Sequence, residues 1–151
     1  MDIQKARYVV GFAFDGLKDR VILIAKDHPD WQKGKWNGIG GHIEEGETPL
    51  QAMEREGREE AAIRCRWHHY ATMIGDDFEC FCFCGKTDDD PKDFADSGEF
   101  VSWRFLPLTG ERIGNLDFLI EAAKICHSFK HIEITYGANG AHYTRTGRGR
   151  Q

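Results

Sequence analysis

The chain has 151 residues, of which 40% are hydrophobic and 12% aromatic, a composition that predicts one folded globular domain. Its formal net charge of −5 disfavours a protein that coats nucleic acid. No apolar run approaches the roughly 18 residues of a membrane span, and the first residues lack the order of a signal peptide. We therefore expect a cytoplasmic protein without a membrane partner, and the sequence leaves open whether it forms a homodimer.

The first two predicted strands form a hairpin. β-rich runs at Arg7–Phe14 and Arg20–Lys26 are separated by Asp15-Gly16, which is a turn signal. The second run is almost wholly apolar and is therefore expected in the centre of a sheet. The connection that follows, Asp27–Gly41, is irregular, rich in Gly and contains two Trp. Connections of this length are more often functional than accidental.

The first predicted helix begins with a capping box. Thr48 suits the N-cap, Pro49 the first helical position, and Gln51 can reach back to the N-cap backbone. The pattern extends the helix to about Ala62. At about 100° per residue, one side of the helix carries small and apolar residues and is expected to pack on the sheet. These residues are Leu50, Met53, Gly57 and Ala61.

Two further strands are predicted at Arg64–Ile74 and Asp77–Gly85, followed by an acidic loop at Asp88–Gly98. A strand at Glu99–Leu108 and a helix at Asn115–Phe129, with Asn115 as its N-cap, complete the pattern. The buried face of that helix is expected to contain Leu116, Leu119, Ile120 and Ala123. This order of elements predicts one mixed α/β domain, with helices that cover a sheet.

The C-terminal part differs in composition from the rest. We place the domain at residues 1–131 and a strand with a tail at residues 132–151. Residues 131–136 are expected to add an edge strand, whereas Thr144–Gln151 is basic and Gly-rich. We interpret that last stretch as a frayed terminus, with a weak contact to an anion or nucleic acid as the alternative.

Five cysteines are an odd number, which favours reduced thiols over a disulfide framework. Three of them alternate with Phe81 and Phe83, so a strand would carry the thiols on one face and the rings on the other. They are Cys80, Cys82 and Cys84. Zinc ligands usually come in C-x2-C pairs, and no second cluster follows. We therefore predict buried structural thiols rather than a metal site.

The first helix carries four glutamates within seven positions: Glu54, Glu56, Glu59 and Glu60. Like charges three or four residues apart destabilise a helix by a few tenths of a kcal/mol per pair. Arg55 can pair with Glu59, but excess negative charge remains. The residues form either a solvated acidic face or a ligand set for a hard cation such as Mg²⁺. Gly40-Gly41 permits close backbone approach, and loop amides with the helix N-terminus could hold a phosphate alongside.

These residues resemble the signature of the Nudix hydrolase family, G-x5-E-x7-R-E-U-x-E-E-x-G-U, where U is a bulky aliphatic residue. The first glycine and every charged position match at the required spacing: Gly41, Glu47, Arg55, Glu56, Glu59 and Glu60. Gly57 stands where an aliphatic residue is usual, and Ala62 replaces the last Gly. Ala tolerates a positive φ less well than Gly. The resemblance covers roughly Arg7 to Phe129.

The resemblance implies an α/β (α+β) fold, a mixed β-sheet sandwiched between helices, with residues 1–131 as the Nudix domain. It also implies hydrolysis of a nucleoside diphosphate linked to another group, with Mg²⁺ or Mn²⁺ as cofactor. The implied metal ligands are Glu56, Glu59, Glu60 and the carbonyl of Gly40. One of the glutamates, or Glu99, would accept the proton of the attacking water, and Arg55 would orient the glutamates.

The segment Trp36–Gly41, W-N-G-x-G-G, resembles Nudix members that hydrolyse oxidised purine nucleoside triphosphates. The resemblance makes Asn37 a contact to the purine edge; the alternative is a turn residue before Gly38. Trp36 either stacks on the base or anchors the loop. Gly41 would line the phosphate site. Asp117 either contacts the base or complements the helix dipole.

The leading hypothesis is thus a metal-dependent pyrophosphatase that converts a purine nucleoside triphosphate into the monophosphate and pyrophosphate. Its partner would be a small-molecule nucleotide rather than nucleic acid. The alternatives are a Nudix hydrolase of ADP-ribose, a nucleotide sugar, a dinucleoside polyphosphate or an RNA 5′ cap. A non-catalytic nucleotide-binding module belongs to a different class, and loss of signature glutamates would indicate it; none is lost here.

Overall fold

The computed structural model describes residues 4–137 and 140–148. Within them the strands are β1 Ala6–Phe14, β2 Arg20–Ala25, β3 Trp36–Asn37, β4 Ile39–His42, β5 His68–Ile74, β6 Phe78–Lys86, β7 Phe100–Phe105, β8 Phe129–Gly137 and β9 Gly140–Arg148. The α-helices are α1 Pro49–Glu56, which continues as a π-helical turn over Gly57–Ala61, and α2 Leu116–Lys124. No helix of the described residues is long and apolar enough to cross a membrane.

The sheet is mixed and is organised around β1. This strand runs parallel to β6 along its whole length and antiparallel to β4 on its other edge. Beyond β6 the order continues with β5, β8 and β9, of which β5 and β8 are parallel. An antiparallel group of β3, β2 and β7 joins β1 at the register pair Phe14–Val21.

The two helices cover opposite faces of this sheet. Val10 and Phe12 of β1 belong to the core that contains Leu119 of α2, whereas Val9 belongs to the core that contains Met53 of α1. Alternate residues of one strand thus face different helices, as period two requires. The predicted fold class, a mixed sheet between helices, is confirmed.

Strand β6 shows the same alternation in its cysteines. Its three thiols are buried in the core on the α2 side: Cys80, Cys82 and Cys84. Phe83 is buried in the core on the α1 side, and Phe81 packs against that core. The predicted placement of thiols on one face and rings on the other is confirmed.

The N-terminal half differs from the sequence prediction in two respects. β1 and β2 pair antiparallel across a short connection, as predicted, but their register pairing is confined to Phe14–Val21, because β4 occupies the edge of β1 over Tyr8–Gly11. β2 does have strand partners on both sides, β7 and β3. The connection 27–41 is also more regular than predicted, since it contains β3, part of β4 and a 3₁₀ turn at Asp30–Gln32.

Helix α1 begins with the predicted capping box, in which Thr48 and Gln51 exchange side-chain and backbone hydrogen bonds. The predicted buried face is confirmed for Met53, Gly57 and Ala61 but is wrong for Leu50. Leu50 is 44% exposed, while Ala52, Met53, Glu56 and Gly57 are buried. At about 100° per residue the centre of this buried set lies roughly a quarter turn from Leu50, so the first-turn leucine falls outside it.

The helix ends at a left-handed residue that is not glycine. Ala62 has φ 56° and ψ 38°, and its N–H donates to the carbonyl oxygens of Arg58 and Gly57. The Cβ of an L-residue in this conformation approaches the following carbonyl oxygen, at a cost of roughly 1–2 kcal/mol. Ala62 therefore adopts the turn for which the Nudix signature uses Gly.

The C-terminal segment extends the sheet. Residues 131–136 are strand, as predicted, but β8 is not at the edge, because β9 pairs with its outer side. Residues 144–148 belong to β9, while residues 149–151 of the predicted frayed terminus lie outside the described residues. Helix α2 ends at Lys124 instead of Phe129, since a 3₁₀ turn at Cys126–Ser128 leads into β8.

The predicted buried face of α2 is confirmed by the burial of its four members: Leu116, Leu119, Ile120 and Ala123. Asn115 occupies the N-cap position, but its side chain does not cap the helix. The side-chain amide of Asn115 instead donates to the hydroxyl of Tyr136. This bond connects the start of α2 to β8.

We expect Ala62→Gly to raise the free energy of unfolding by roughly 0.5–1 kcal/mol, because glycine adopts a positive φ without a Cβ clash. Ala62 is exposed, so the lost methyl group costs little burial. The matched control is Ala52→Gly inside α1, which should lower stability by about 1 kcal/mol or more. Urea denaturation measures both. A destabilised Ala62→Gly variant would contradict this explanation of the helix end.

Candidate active site

Strand β4 brings the backbone of Gly40 and Gly41 against β1 and α1. A Cβ on Gly40 would lie 2.0 Å from the carbonyl oxygen of Val9, and a Cβ on Gly41 would lie 2.6 Å from Oε1 of Glu56. No side chain larger than hydrogen fits at Gly40, where the clash is with backbone, and at Gly41 a Cβ would displace the carboxylate of Glu56. The two glycines thus allow the backbone of β4 to lie directly beside the helix carboxylates.

Arg55 is the centre of the hydrogen-bond network on α1. Its Nε and Nη2 donate to the two carboxylate oxygens of Glu47 at 2.8 and 3.0 Å. Its Nη1 donates to Oε1 of Glu56 at 2.8 Å and to Oε2 of Glu59 at 3.1 Å. Nη2 also donates to the carbonyl oxygen of His42 at 3.0 Å. The planar guanidinium therefore ties together the loop before α1, the helix and β4.

Arg55 affects the pKa values of two glutamates in opposite ways. Its hydrogen bonds hold the pKa of Glu47 below the usual value, although desolvation works against them. Burial raises the pKa of Glu56, and Arg55 offsets this rise only in part, while the charge of Glu59 adds to it. One guanidinium thus leaves part of the negative charge uncompensated.

Glu60 lies in the π-helical turn, a feature that often occurs at functional sites. Its Oε2 accepts a hydrogen bond from the backbone N of Gly40, at 3.4 Å. Burial, and then the negative charge of Glu56, raise the pKa of Glu60 to about 7, against the opposing charge of Lys26. Without a bound cation, this carboxylate is therefore only partly ionised at neutral pH.

Glu99, directly before β7, is 3% exposed. Its Oε2 accepts from the backbone N of Asp27 at 2.7 Å, and its Oε1 accepts from Ser97 Oγ at 3.0 Å and Lys26 Nζ at 3.4 Å. Burial favours the neutral acid, but the Asp27 amide and the charge of Lys26 outweigh it and lower the pKa of Glu99. Glu99 is close enough for its charge to raise the pKa of Glu60.

The donor set fits a hard divalent cation in its chemistry. Carboxylate oxygens are the preferred ligands of such ions, and Glu56 lies close enough to Glu60 for its charge to raise the pKa of Glu60. Glu59 and Glu56 accept hydrogen bonds from the same Nη1 of Arg55, so the two carboxylates are close, although the side chain of Glu59 is 48% exposed. No three Asp, Glu, His or Cys side chains converge into a metal site within residues 4–137. Coordination by all three glutamates would therefore require side chains of this set to rearrange.

The structure brings Trp36 and Asp117 into one neighbourhood through Arg112. The backbone of Arg112 bridges to Trp36, and its Nε donates to Oδ2 of Asp117 at 3.0 Å. A cavity of about 210 Å³ adjoins Arg112 and Asp117. The guanidinium carbon of Arg104 lies 4.6 Å from the centre of the Trp36 ring, a cation–π distance that helps to anchor this tryptophan.

The side-chain amide of Asn37 makes the contacts of a turn residue. Its Nδ2 donates to Oε1 of Gln32 at 3.2 Å, and its Oδ1 accepts from the backbone N of Gly38 at 2.8 Å. The first bond uses one of the two hydrogens on Nδ2, and the second uses one of the two lone pairs on Oδ1. The same amide can therefore hold the loop and still donate and accept one further hydrogen bond.

Sequence reasoning missed Lys26 and Arg112. Lys26 links Glu99 to the neighbourhood of Glu60, and Arg112 links Asp117 to Trp36. The sequence did contain a signal for Lys26, because this lysine ends an apolar run directly before a long loop. Arg112 lies in an irregular segment and carried no comparable signal.

The chain matches the NUDIX domain over residues 5–119 and therefore belongs to the Nudix family. Its fold resembles a mutator MutT protein from Bacillus halodurans, with 19% identity, a TM-score of 0.68, and 93% of this chain and 97% of that chain covered. It also resembles a NUDIX hydrolase from Nitrosomonas europaea, with 19% identity, a TM-score of 0.63, and 80% and 73% covered.

A third similar structure is a bifunctional NMN adenylyltransferase/ADP ribose pyrophosphatase from Francisella tularensis, complexed with AMP and a manganese ion. The identity is 19% and the TM-score 0.60, and the match covers 81% of this chain and 42% of that chain. Family membership, predicted from the signature, is confirmed. At these identities the similar structures establish the fold alone.

We expect Glu60→Gln to stabilise the protein when divalent cations are chelated, because the amide mimics the protonated acid. In the unfolded chain the pKa of this carboxyl is near 4.5, the ordinary value for glutamate, whereas in the folded protein the pKa of Glu60 is about 7. The folded wild type should therefore lose stability between these values, and the advantage of the variant should grow with pH up to about 7 and then level off.

The advantage should reach on the order of 3 kcal/mol above pH 7 and be small near pH 4.5. Thermal denaturation over this pH range, in the presence of a chelator, measures it. Glu54→Gln is the matched control in the same helix, since Glu54 is exposed. A stability difference between Glu60→Gln and wild type that does not change with pH would refute the assignment.

Proposed function

We propose that the protein is a metal-dependent Nudix pyrophosphohydrolase that cleaves a nucleoside triphosphate to the monophosphate and pyrophosphate. The observation that best supports this proposal is the carboxylate cluster. In it Arg55 orients Glu56 and Glu59, and Glu60 lies beside the backbone of Gly40. The pKa values of Glu56 and Glu60 are both raised, so a cation that neutralises them would bind favourably.

The cation would be Mg²⁺ or Mn²⁺, held by Glu56, Glu59, Glu60 and the carbonyl oxygen of Gly40. When bound, it would neutralise phosphate charge and lower the pKa of a coordinated water. Arg55 does not need to contact the substrate, because its guanidinium already donates hydrogen bonds to Glu47, Glu56, Glu59 and His42. Its role is to position the carboxylates.

Glu56 or Glu59 is the better candidate for the base that accepts the proton of the attacking water. Glu99 is the weaker base, since its pKa is lowered and both of its oxygens already accept hydrogen bonds. In this proposal Glu99 holds Lys26 and the start of the loop at Asp27 beside the carboxylates. Lys26 would then supply positive charge to the phosphates of the substrate.

For the substrate we propose a purine nucleoside triphosphate, including oxidised purines. Asn37 retains one donor and one acceptor for the purine edge. Gly41 would line the phosphate site, and Trp36 and Asp117 would border the base. The resemblance to a mutator MutT protein supports this assignment, whereas the resemblance to an ADP ribose pyrophosphatase supports ADP-ribose as the second candidate.

A nucleotide panel with Mg²⁺ tests the substrate. We expect pyrophosphate and a monophosphate from a purine triphosphate; turnover confined to ADP-ribose would overturn the proposal. Glu56→Gln should lower kcat by at least about 100-fold, because it weakens both the metal site and the base. Glu54→Gln, at an exposed position of the same helix, should leave kcat unchanged.

Asn37→Ala should raise KM for purine substrates by roughly 10-fold while changing kcat and pyrimidine turnover little, because it removes the proposed purine contact. Gln32→Ala is the control, since it removes the same loop hydrogen bond but leaves the Asn37 amide in place. Steady-state kinetics with paired purine and pyrimidine triphosphates measures both variants. If Gln32→Ala reproduces the effect, Asn37 acts through the loop and does not contact the purine.

A further inference from the structure

A second cavity lies far along the sheet from the candidate active site. It has a volume of about 1010 Å³ and opens where β1 and β6 end and α2 meets β8. The candidate carboxylates, by contrast, lie beside Gly40 and Gly41, which pair with Val10 and Val9 in the first half of β1. Several basic side chains line the cavity: Lys18, Arg66, Lys86 and Lys130. Two cysteines, Cys84 and Cys126, also line it.

The two thiols lie in direct contact. The Sγ of Cys84, on β6, donates to the Sγ of Cys126, in the turn after α2, at 2.9 Å. The side chains are mostly buried, with 3% and 4% exposed, so the cavity is their connection to solvent. Other thiols bond to backbone oxygens instead: Cys65 to Lys86, and Cys82 to Cys80.

The contact makes the two sulfurs chemically unequal. The hydrogen bond donated by Cys84 lowers the pKa of Cys126, and the positive charges of His127 and Lys18 act in the same direction against burial. The same bond raises the pKa of Cys84. Cys126 is thus the thiol of the pair that ionises more readily, and the thiolate is the reactive form of cysteine.

We propose that Cys84 and Cys126 form an oxidisable thiol pair, which a hydroperoxide entering the cavity converts to a disulfide. The Cys126 thiolate attacks the peroxide, the O–O bond breaks, and the products are a sulfenic acid and, after protonation, an alcohol or water. Cys84 then attacks the sulfenic sulfur and releases water as the S–S bond forms. Two thiols lose two electrons and the peroxide gains them.

The disulfide would link β6 to the end of α2 and close a loop of 42 positions that contains Glu99 and Asp117. A covalent link of this span restricts the unfolded chain and so stabilises the fold. We expect the melting temperature to rise on oxidation by at least about 5 °C. The shift should be reversed by dithiothreitol.

The test treats the reduced full chain with a small excess of hydrogen peroxide under native conditions. The intact mass should fall by two hydrogen atoms, and a peptide map without reductant should show Cys84 linked to Cys126. After unfolding, the other three thiols should still react with iodoacetamide: Cys65, Cys80 and Cys82. A link between other cysteines, stable sulfinic acid at Cys126, or no reaction would each overturn the proposal.

Matched variants separate the pair from the remaining core thiols. Cys126→Ala should abolish both the link and the rise in melting temperature. Cys80→Ala, on the same face of β6, should retain both. A Cys126→Ala protein that still loses two hydrogen atoms would overturn the assignment. If this variant does not fold, the peptide map of the wild type decides the question alone.

Discussion

The candidate site depends on the hydrogen bonds of Arg55. Its guanidinium, with 16% of the side chain exposed, binds Glu47, Glu56, Glu59 and the backbone of His42 at once. The strength of this arrangement lies in its geometry, because one planar group with five donors fixes three chain segments. Loss of the guanidinium would leave several nearby carboxylates facing each other without a shared counter-charge.

The network constrains charge as well as position. Burial, together with neighbouring glutamate charges that Arg55 and Lys26 offset only in part, raises the pKa of Glu56 and that of Glu60, whereas the hydrogen bonds of Arg55 lower the pKa of Glu47. Gly40 and Gly41 concentrate the remaining charge, since they allow β4 to approach α1 without intervening side chains. A protein maintains such uncompensated charge at a cost in stability, which is typical of sites that bind a counter-ion.

The sheet separates the candidate active site from the thiol pair. Glu60 and the glycines of β4 lie beside the first half of β1, whereas Cys84 and Cys126 lie where β6 and α2 end. Segment 84–126 connects the two regions, because it carries Glu99 to the carboxylates before the chain enters α2. The cavity with its basic side chains and thiols, and the cluster of glutamates, are therefore two chemically different sites on the same sheet.

The sequence by itself determined whatever depends on local spacing. The capping box at Thr48, the thiol and ring faces of β6, the pairing of Arg55 with Glu59 and the signature spacing follow from periods of two or 3.6 residues. Only the tertiary structure decided the exposure of Leu50, the place of β8 inside the sheet and the contact of Cys84 with Cys126. The link from Lys26 to Glu99 spans 73 positions. Such contacts depend on how distant strands pair and on which edges they leave open, and local propensities carry no information about either.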